Sequence, residues 1–221
     1  MDDRTRNLLA APPAPLLIRL ATPNAIAFLI QSAVSMTEVW FVGRLGPAAL
    51  AGYGVGSRIE FLIVPLVFGL GSAMTALVGV AIGAGDHDRA ERIGWIGAGM
   101  SAVLAGSVGV LLALFPDAWI PAFTDDPAAQ AAPIGYMRIV GPFFALQGVG
   151  LSLYFASQGA GAMLWPVAAT VVRILVAVGG ALLLAHGLGW GLEGVFVAAA
   201  GAMVLYGSMI ALAVRLGAWQ R

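Results

Sequence analysis

Cysteine is absent from the 221 residues, which excludes disulfides, thiolate metal sites and thiol nucleophiles together. Lysine is absent as well. All eleven basic residues are arginine, and eleven acids balance them to a formal net charge of zero. Without a basic surplus to neutralise phosphates, nucleic-acid binding is set aside. Charge is scarce altogether, at 10% of residues, where a soluble domain carries about a quarter. What fills the chain instead is hydrocarbon: 60% of residues are hydrophobic and the mean hydropathy is +0.93. Such a composition belongs to an integral membrane protein.

The opening stretch MDDRTRNLLAAPPAP places Arg4 and Arg6 before a short apolar run. Pro12, Pro13 and Pro15 break that run, and Asp2 and Asp3 do not suit a signal-peptide n-region. Residues 1–16 therefore read as a cytoplasmic tail. A membrane span needs roughly 20 apolar residues, and polar or Gly/Pro punctuation divides the remainder into six: 17–42, 52–83, 92–115, 129–157, 164–186 and 190–214. The expected fold is all-α, a six-helix membrane bundle over 17–214 with a second cytoplasmic tail at 215–221. The second and fourth spans are overlong and contain Pro65 and Pro142, so tilt or kinking is expected. Asp126 is placed to cap a helix whose first residue is Pro127. Trp119, Trp165, Trp190 and Trp219 fall near span ends, where indole rings settle at headgroup level.

Arginine sets the expected orientation. Arg4, Arg6, Arg19, Arg89, Arg92, Arg215 and Arg221 flank one side; Arg44, Arg58 and Arg138 lie toward the other, with Asp117, Asp125 and Asp126. The positive-inside rule then puts both termini in the cytoplasm, and the expected location is the cell (inner) membrane.

Residues three, four or seven apart share a helix face. On that spacing Asn24, Gln31, Ser35 and Glu38 form one polar stripe, Tyr53, Ser57 and Glu60 a second, and Gln147, Tyr154 and Gln158 a third. For the neutral members two readings stand side by side: the lining of a substrate cavity, or interhelical glue worth about 0.6 kcal/mol per contact. The acids are different, because a charge at mid-membrane costs about 2.5 to 3.5 kcal/mol on insertion scales and usually marks function. Arg173 is the one intramembrane cation placed to answer them. Counting about 1.5 Å per residue, Glu60 and Arg173 lie at similar depths while Glu38 lies nearer the outer face. The expectation is an ion pair between Glu60 and Arg173, leaving Glu38 to exchange protons. Removal from water favours a protonated carboxyl, so one acid at position 38 can hold a proton and a cationic substrate in alternation.

Several motifs point elsewhere and are weighed down by their surroundings. GAGD, from Gly83 to Asp86, matches the pattern of intramembrane aspartyl proteases, but that chemistry needs a second aspartate sharing the proton, and no plausible partner exists. Asp86, His87 and Asp88 are consecutive on a polar loop and seldom converge on one metal ion. His186, at the end of the fifth span, reads as interfacial. The glycines of GYGVG and GLGSA follow no strand, as a nucleotide loop requires; Gly79-x-x-x-Gly83 suits close helix packing instead. No enzyme, metal or cofactor is expected.

In order along the chain, GRLGPAALAGYGVGSRIEFLIVPLVFGLGSA, VGVAIGAGDHDRA, FTDDP, YMRIVGP and YFASQGAGAMLWP resemble the multidrug and toxic-compound extrusion (MATE) family from about Pro15 onward. That resemblance implies a twelve-helix antiporter of two six-helix lobes, exporting organic cations or amphipathic compounds against protons or sodium, of which this chain resembles one lobe, most like the second. It implies coupling roles for Glu38, before the VGRLG turn, and for Glu60 in SRIEF. Tyr154 and Gln158 resemble a tyrosine and an aspartate of sodium-dependent members. The neutral amide at 158 favours protons over sodium. Because substrate lies between repeats in such carriers, the implied partners are membrane lipid, a small cationic or amphipathic substrate, and either a second copy in a homodimer or a separate partner lobe. A non-transporting membrane remnant or scaffold, and a lipid-linked sugar flippase of related architecture, stand as the alternatives.

Overall fold

The computed structural model describes residues 46–123 and 125–220, together with scattered positions between 12 and 44. It divides into two compact units, Met1–Thr37 and Glu38–Arg221. In the first unit the described positions from 14 to 36 are helical. The Thr22 hydroxyl donates back to the Ile18 carbonyl at 2.6 Å, the usual way a helical hydroxyl satisfies itself in an apolar setting. Most of the first expected span, including Asn24, Gln31 and Glu38, lies outside the described residues.

Among its described residues the second unit is built of helices joined by short turns, with no strand. Its first long helix, α1 (Pro47–Gly83), starts where Gly46 turns at φ 118° and Pro47 takes the first helical position, whose missing N–H costs nothing there. At 37 residues it is about 55 Å long, well beyond the roughly 30 Å hydrocarbon layer. Pro65 sits inside it without ending it. Helix α2 (His87–Leu114) begins at Asp86, whose carboxylate accepts from the Arg89 amide at 2.9 Å. Both helices therefore start about a turn before the positions 52 and 92 expected from hydropathy, because proline and aspartate chemistry, not apolarity, sets their ends.

Two 3-10 turns, Pro116–Ala118 and Ile120–Ala122, lead to α3 (Pro127–Val140). The Asp126 carbonyl accepts from the Ala129 and Gln130 amides as that helix opens. Pro142 cannot donate to the turn before it, and the chain tightens into a 3-10 turn, Gly141–Phe143, before resuming as α4 (Phe144–Ala160). What reads in sequence as one overlong fourth span is thus a broken pair. Helix α5 (Leu164–Ala181) runs into a π-helical segment, Leu182–Gly187, and α6 (Gly191–Arg215) closes the unit.

Five stretches among the described residues are long and apolar enough to cross a membrane: Ala49–Gly83, His87–Leu114, Ala129–Ala160, Leu164–Gly187 and Gly191–Arg215. The protein is a multi-pass membrane protein. Helix α4 is central, packing against α1, α2 and α6, while α5 packs on α6. One core cluster gathers Tyr53, Ile63, Tyr136, Phe144 and Phe196; a second gathers Met74, Val78, Leu153, Ile210 and Trp219. Phe61, Leu77, Val103, Leu175 and Leu212 are exposed, as side chains facing lipid are.

Two expectations are corrected. Of the Gly79-x-x-x-Gly83 pair, Gly79 lies against Gly159 of α4, but Gly83 faces open space. Trp165 and Trp190 are exposed, yet Trp219 is buried: the chain turns at Gly217 (φ 79°) and carries the ring back among the helices, where its indole N–H donates to the Ser157 hydroxyl at 3.0 Å. A buried partner for its N–H outweighs the headgroup preference of the ring.

Candidate functional site

Glu60 projects from α1 toward two donors brought by other helices. Arg173 of α5 places Nη2 3.1 Å from its Oε1, and the Tyr136 hydroxyl of α3 donates to its Oε2 at 2.6 Å. The second contact is short, as expected for a hydroxyl bonded to an ionised carboxylate. The Arg173 guanidinium carbon in turn stands 5.4 Å from the ring centre of Tyr206 on α6, inside the roughly 6 Å reach of a cation–π contact. Four helices thus meet in one charged cluster.

Two glycines open the slots for the two phenols. A Cβ at Gly56, one turn from Glu60, would strike the Tyr136 ring; without it the ring fits beside α1 and its hydroxyl reaches the carboxylate. A Cβ at Gly150 of α4 would likewise strike the Tyr206 ring. Tyr136, 1% exposed, is wedged edge-on between Tyr53 and Phe196, with centroids at 6.2 and 5.2 Å. Tyr206, 4% exposed, shares a hydrogen bond with Thr170, whose hydroxyl also donates to the Pro166 carbonyl at 2.9 Å. The ion pair is less enclosed: the side chains of Arg173 and Glu60 keep 21% and 20% exposure. It is a partly exposed charged centre fixed by buried phenols.

The other sequence-derived candidates take varied places. Tyr53 packs its ring on Tyr136; the Ser57 hydroxyl turns back to the Gly54 carbonyl at 3.2 Å. Tyr154 and Gln158, one turn apart on α4, hydrogen-bond to each other and are half-buried. Gln147 is 5% exposed, and its Oε1 finds no partner among the described residues. Ser35 is exposed; Asn24, Gln31 and Glu38 lie outside the described residues. Asp86, of the GAGD motif, is a helix cap, and His186 is exposed at the π-helical end of α5.

Sequence reasoning missed Tyr136, Tyr206 and Thr170. A signal existed for the first two. The chain has four tyrosines, and Tyr53, Tyr136, Tyr154 and Tyr206 all fall inside spans rather than in the headgroup belts that tyrosine favours. A phenol kept inside a bundle needs a polar partner there.

The MatE family model matches residues 23–183. Over 167 residues the chain is 39% identical to a probable multidrug resistance protein NorM of Burkholderia pseudomallei (strain K96243), a match covering 71% of this chain and 35% of that protein. A probable multidrug resistance protein NorM of Thermotoga maritima is 29% identical over 164 residues, covering 73% of this chain and 35% of that protein. Among solved structures, the fold is shared with a MATE in complex with MaL6, at TM-score 0.84 and 21% identity over 96% of this chain and 48% of that one. It is shared too with the Vibrio cholerae MATE transporter VcmN in its bent form, at TM-score 0.81 and 20% identity over 92% and 46%. The chain spans about a third of the length of these curated relatives and about half that of the solved structures.

Proposed function

The chain belongs to the MatE family, and from that premise we propose that it is one lobe of a secondary transporter that exports organic cations or amphipathic compounds in exchange for protons. The observation that carries this reading is the Glu60, Arg173, Tyr136 and Tyr206 cluster, assembled from side chains of four largely apolar helices. Ionisable groups at such depth mark substrate and ion pathways far more often than they serve packing. The relatives' name, multidrug resistance protein, agrees with a broad organic substrate.

In the proposed cycle Glu38 exchanges its proton for the cationic substrate, while Arg173 and Tyr136 hold Glu60 in place. Gln31, Ser35, Tyr154 and Gln158 line the route, and the amide at 158, where an acid would favour a metal ion, fits protons better than sodium. The complementary half comes from a second copy or a separate lobe, since alternating access needs two halves that rock about one site. Orientation follows the arginine bias, with both termini in the cytoplasm. The test is proton-driven ethidium efflux from inverted vesicles: Glu38→Gln is expected to abolish both efflux and its pH dependence, and a variant that keeps both refutes the proposal.

One observation favours a second reading, a non-transporting membrane scaffold. The Thr75 hydroxyl bonds across to the Phe155 carbonyl of α4 at 2.8 Å, the interhelical glue of a packed bundle, while Ser57 satisfies itself within its own helix. Crosslinking in the membrane, with dye efflux read on the same cells, separates the two: a monomer with no efflux supports the scaffold.

A further inference from the structure

At the far end of α2 a groove of about 370 Å³ opens between two walls: Val110, Ala113 and Leu114 on the last turns of α2, and Arg138 and Pro142 where α3 gives way to its 3-10 turn. Gly109 and Gly141 bring those walls together, since a Cβ on either would strike the other's carbonyl. One turn back, Gly106 lies against Ala145, so the two stretches run antiparallel and both Leu114 and Arg138 lie beyond the glycine contact, toward the end of the bundle. That end is at headgroup depth. Helix α2 has 28 residues and is about 42 Å long against a hydrocarbon layer of roughly 30 Å, which brings its last turn out of the oil. Trp119 follows on the next turn, its indole N–H spent on the Leu112 carbonyl at 2.9 Å, and an indole belongs at that level too. The charge in the groove is of one sign. Arg138 is exposed, among the described residues no carboxylate pairs with it, and Asp117, Asp125 and Asp126, the acids at this end, do not line the groove. The rest of the lining is hydrocarbon, with Val110 and Leu114 41% and 66% exposed.

We propose that this groove seats a phospholipid of net negative charge, with its phosphodiester on the Arg138 guanidinium and an acyl chain along Val110 and Leu114. The order of the lining, a cation at headgroup level beside an apolar wall, is the order of groups along such a lipid. A guanidinium offers a planar fork of donors that fits a phosphate. A zwitterionic headgroup fits less well, because its ammonium finds no carboxylate in the lining. One arginine near the membrane surface favours an anionic lipid about fivefold. On the orientation proposed above, the lipid is one of the outer leaflet. The inference requires that the chain lie in a membrane and needs nothing of transport.

The experiment is native mass spectrometry of the purified full chain in detergent, titrated with phosphatidylglycerol or with phosphatidylcholine of identical acyl chains. The parent is expected to take up its first phosphatidylglycerol about fivefold more tightly than phosphatidylcholine. Arg138→Gln is expected to abolish that preference, while Arg58→Gln, which removes another exposed arginine on α1, keeps it. A parent without the preference, or a preference that survives Arg138→Gln, overturns the proposal. So does an equal loss in Arg58→Gln, which would make the effect one of overall charge. Glycerol phosphate, the headgroup without its tails, is expected not to displace the lipid; displacement at equal concentration makes this a phosphate site and overturns the lipid. Should Arg138→Gln fail to fold, Leu114→Glu decides, because a carboxylate on the opposite wall answers the guanidinium: loss of the preference supports the seat, and its survival overturns it.

Discussion

Replacing Tyr136 with phenylalanine deletes one oxygen and nothing else. The ring keeps its slot over Gly56 and its edge contacts with Tyr53 and Phe196, so the change isolates the hydroxyl's bond to Glu60. Its magnitude follows from three considerations. Hydrogen bonds between neutral groups inside membrane bundles average about 0.6 kcal/mol; an ionised acceptor roughly doubles that; and the 2.6 Å contact is at the short end for its type. Water reaching the one-fifth exposed carboxylate recovers part of the loss. The expected cost is about 1.5 kcal/mol, near a tenfold change in the folding equilibrium. It is measured by detergent-titrated unfolding followed by helicity, as a double-mutant cycle with Glu60→Gln. The cycle is expected to return most of the 1.5 kcal/mol as coupling between the two positions. Equal losses from Tyr136→Phe in the parent and in the Glu60→Gln background contradict the assigned bond.

Three further outcomes follow from the same contacts. Gly56→Ala forces a methyl group against the Tyr136 ring, and overpacking of this kind costs about 1 to 3 kcal/mol; unfolding of the variant should match or exceed the Tyr136→Phe loss. Trp219→Ala empties a buried site and orphans the Ser157 hydroxyl; the expected cost is about 3 kcal/mol, the lower end for a buried tryptophan because the chain end can shift. Faster proteolysis after Arg215 reports it, and Trp219→Phe should recover most of the protection. Asp86→Ala removes the cap of α2 and should cost about 1 kcal/mol, while Asp86→Ser should cost far less; a loss that serine does not relieve means the carboxylate has a role beyond capping.

Among the described residues, apolar runs and helix breakers made the helices legible and their ends approximately so, since membrane helices must satisfy their backbone internally and therefore end where polar punctuation allows. The errors lie where local chemistry extends a helix past its apolar core: Pro47 opens α1 and the charged HDRAER turn behind Asp86 opens α2. The break at Pro142 and the continuity through Pro65 were not distinguishable in sequence, because neighbouring helices decide whether a proline's lost bond is made good. In the candidate site, charge was readable and phenols were not. Glu60 and Arg173 stand out in hydrocarbon at once, whereas Tyr136 and Tyr206 owe their places to Gly56 and Gly150 on other helices, a relation that no periodicity along one helix expresses. Glu38, Gln31 and Asn24 lie outside the described residues, so their roles rest on stripe spacing and family resemblance.

Proton release on substrate binding tests the central claim most directly. If position 38 holds a proton that a cation replaces, linkage requires that each affects the other's binding reciprocally. Adding ethidium to the purified protein in weakly buffered solution should then liberate up to about one proton per cation bound near neutral pH, and none from Glu38→Gln. Proton release that is undiminished in Glu38→Gln, or ethidium binding to the parent with no release at any pH, contradicts the account.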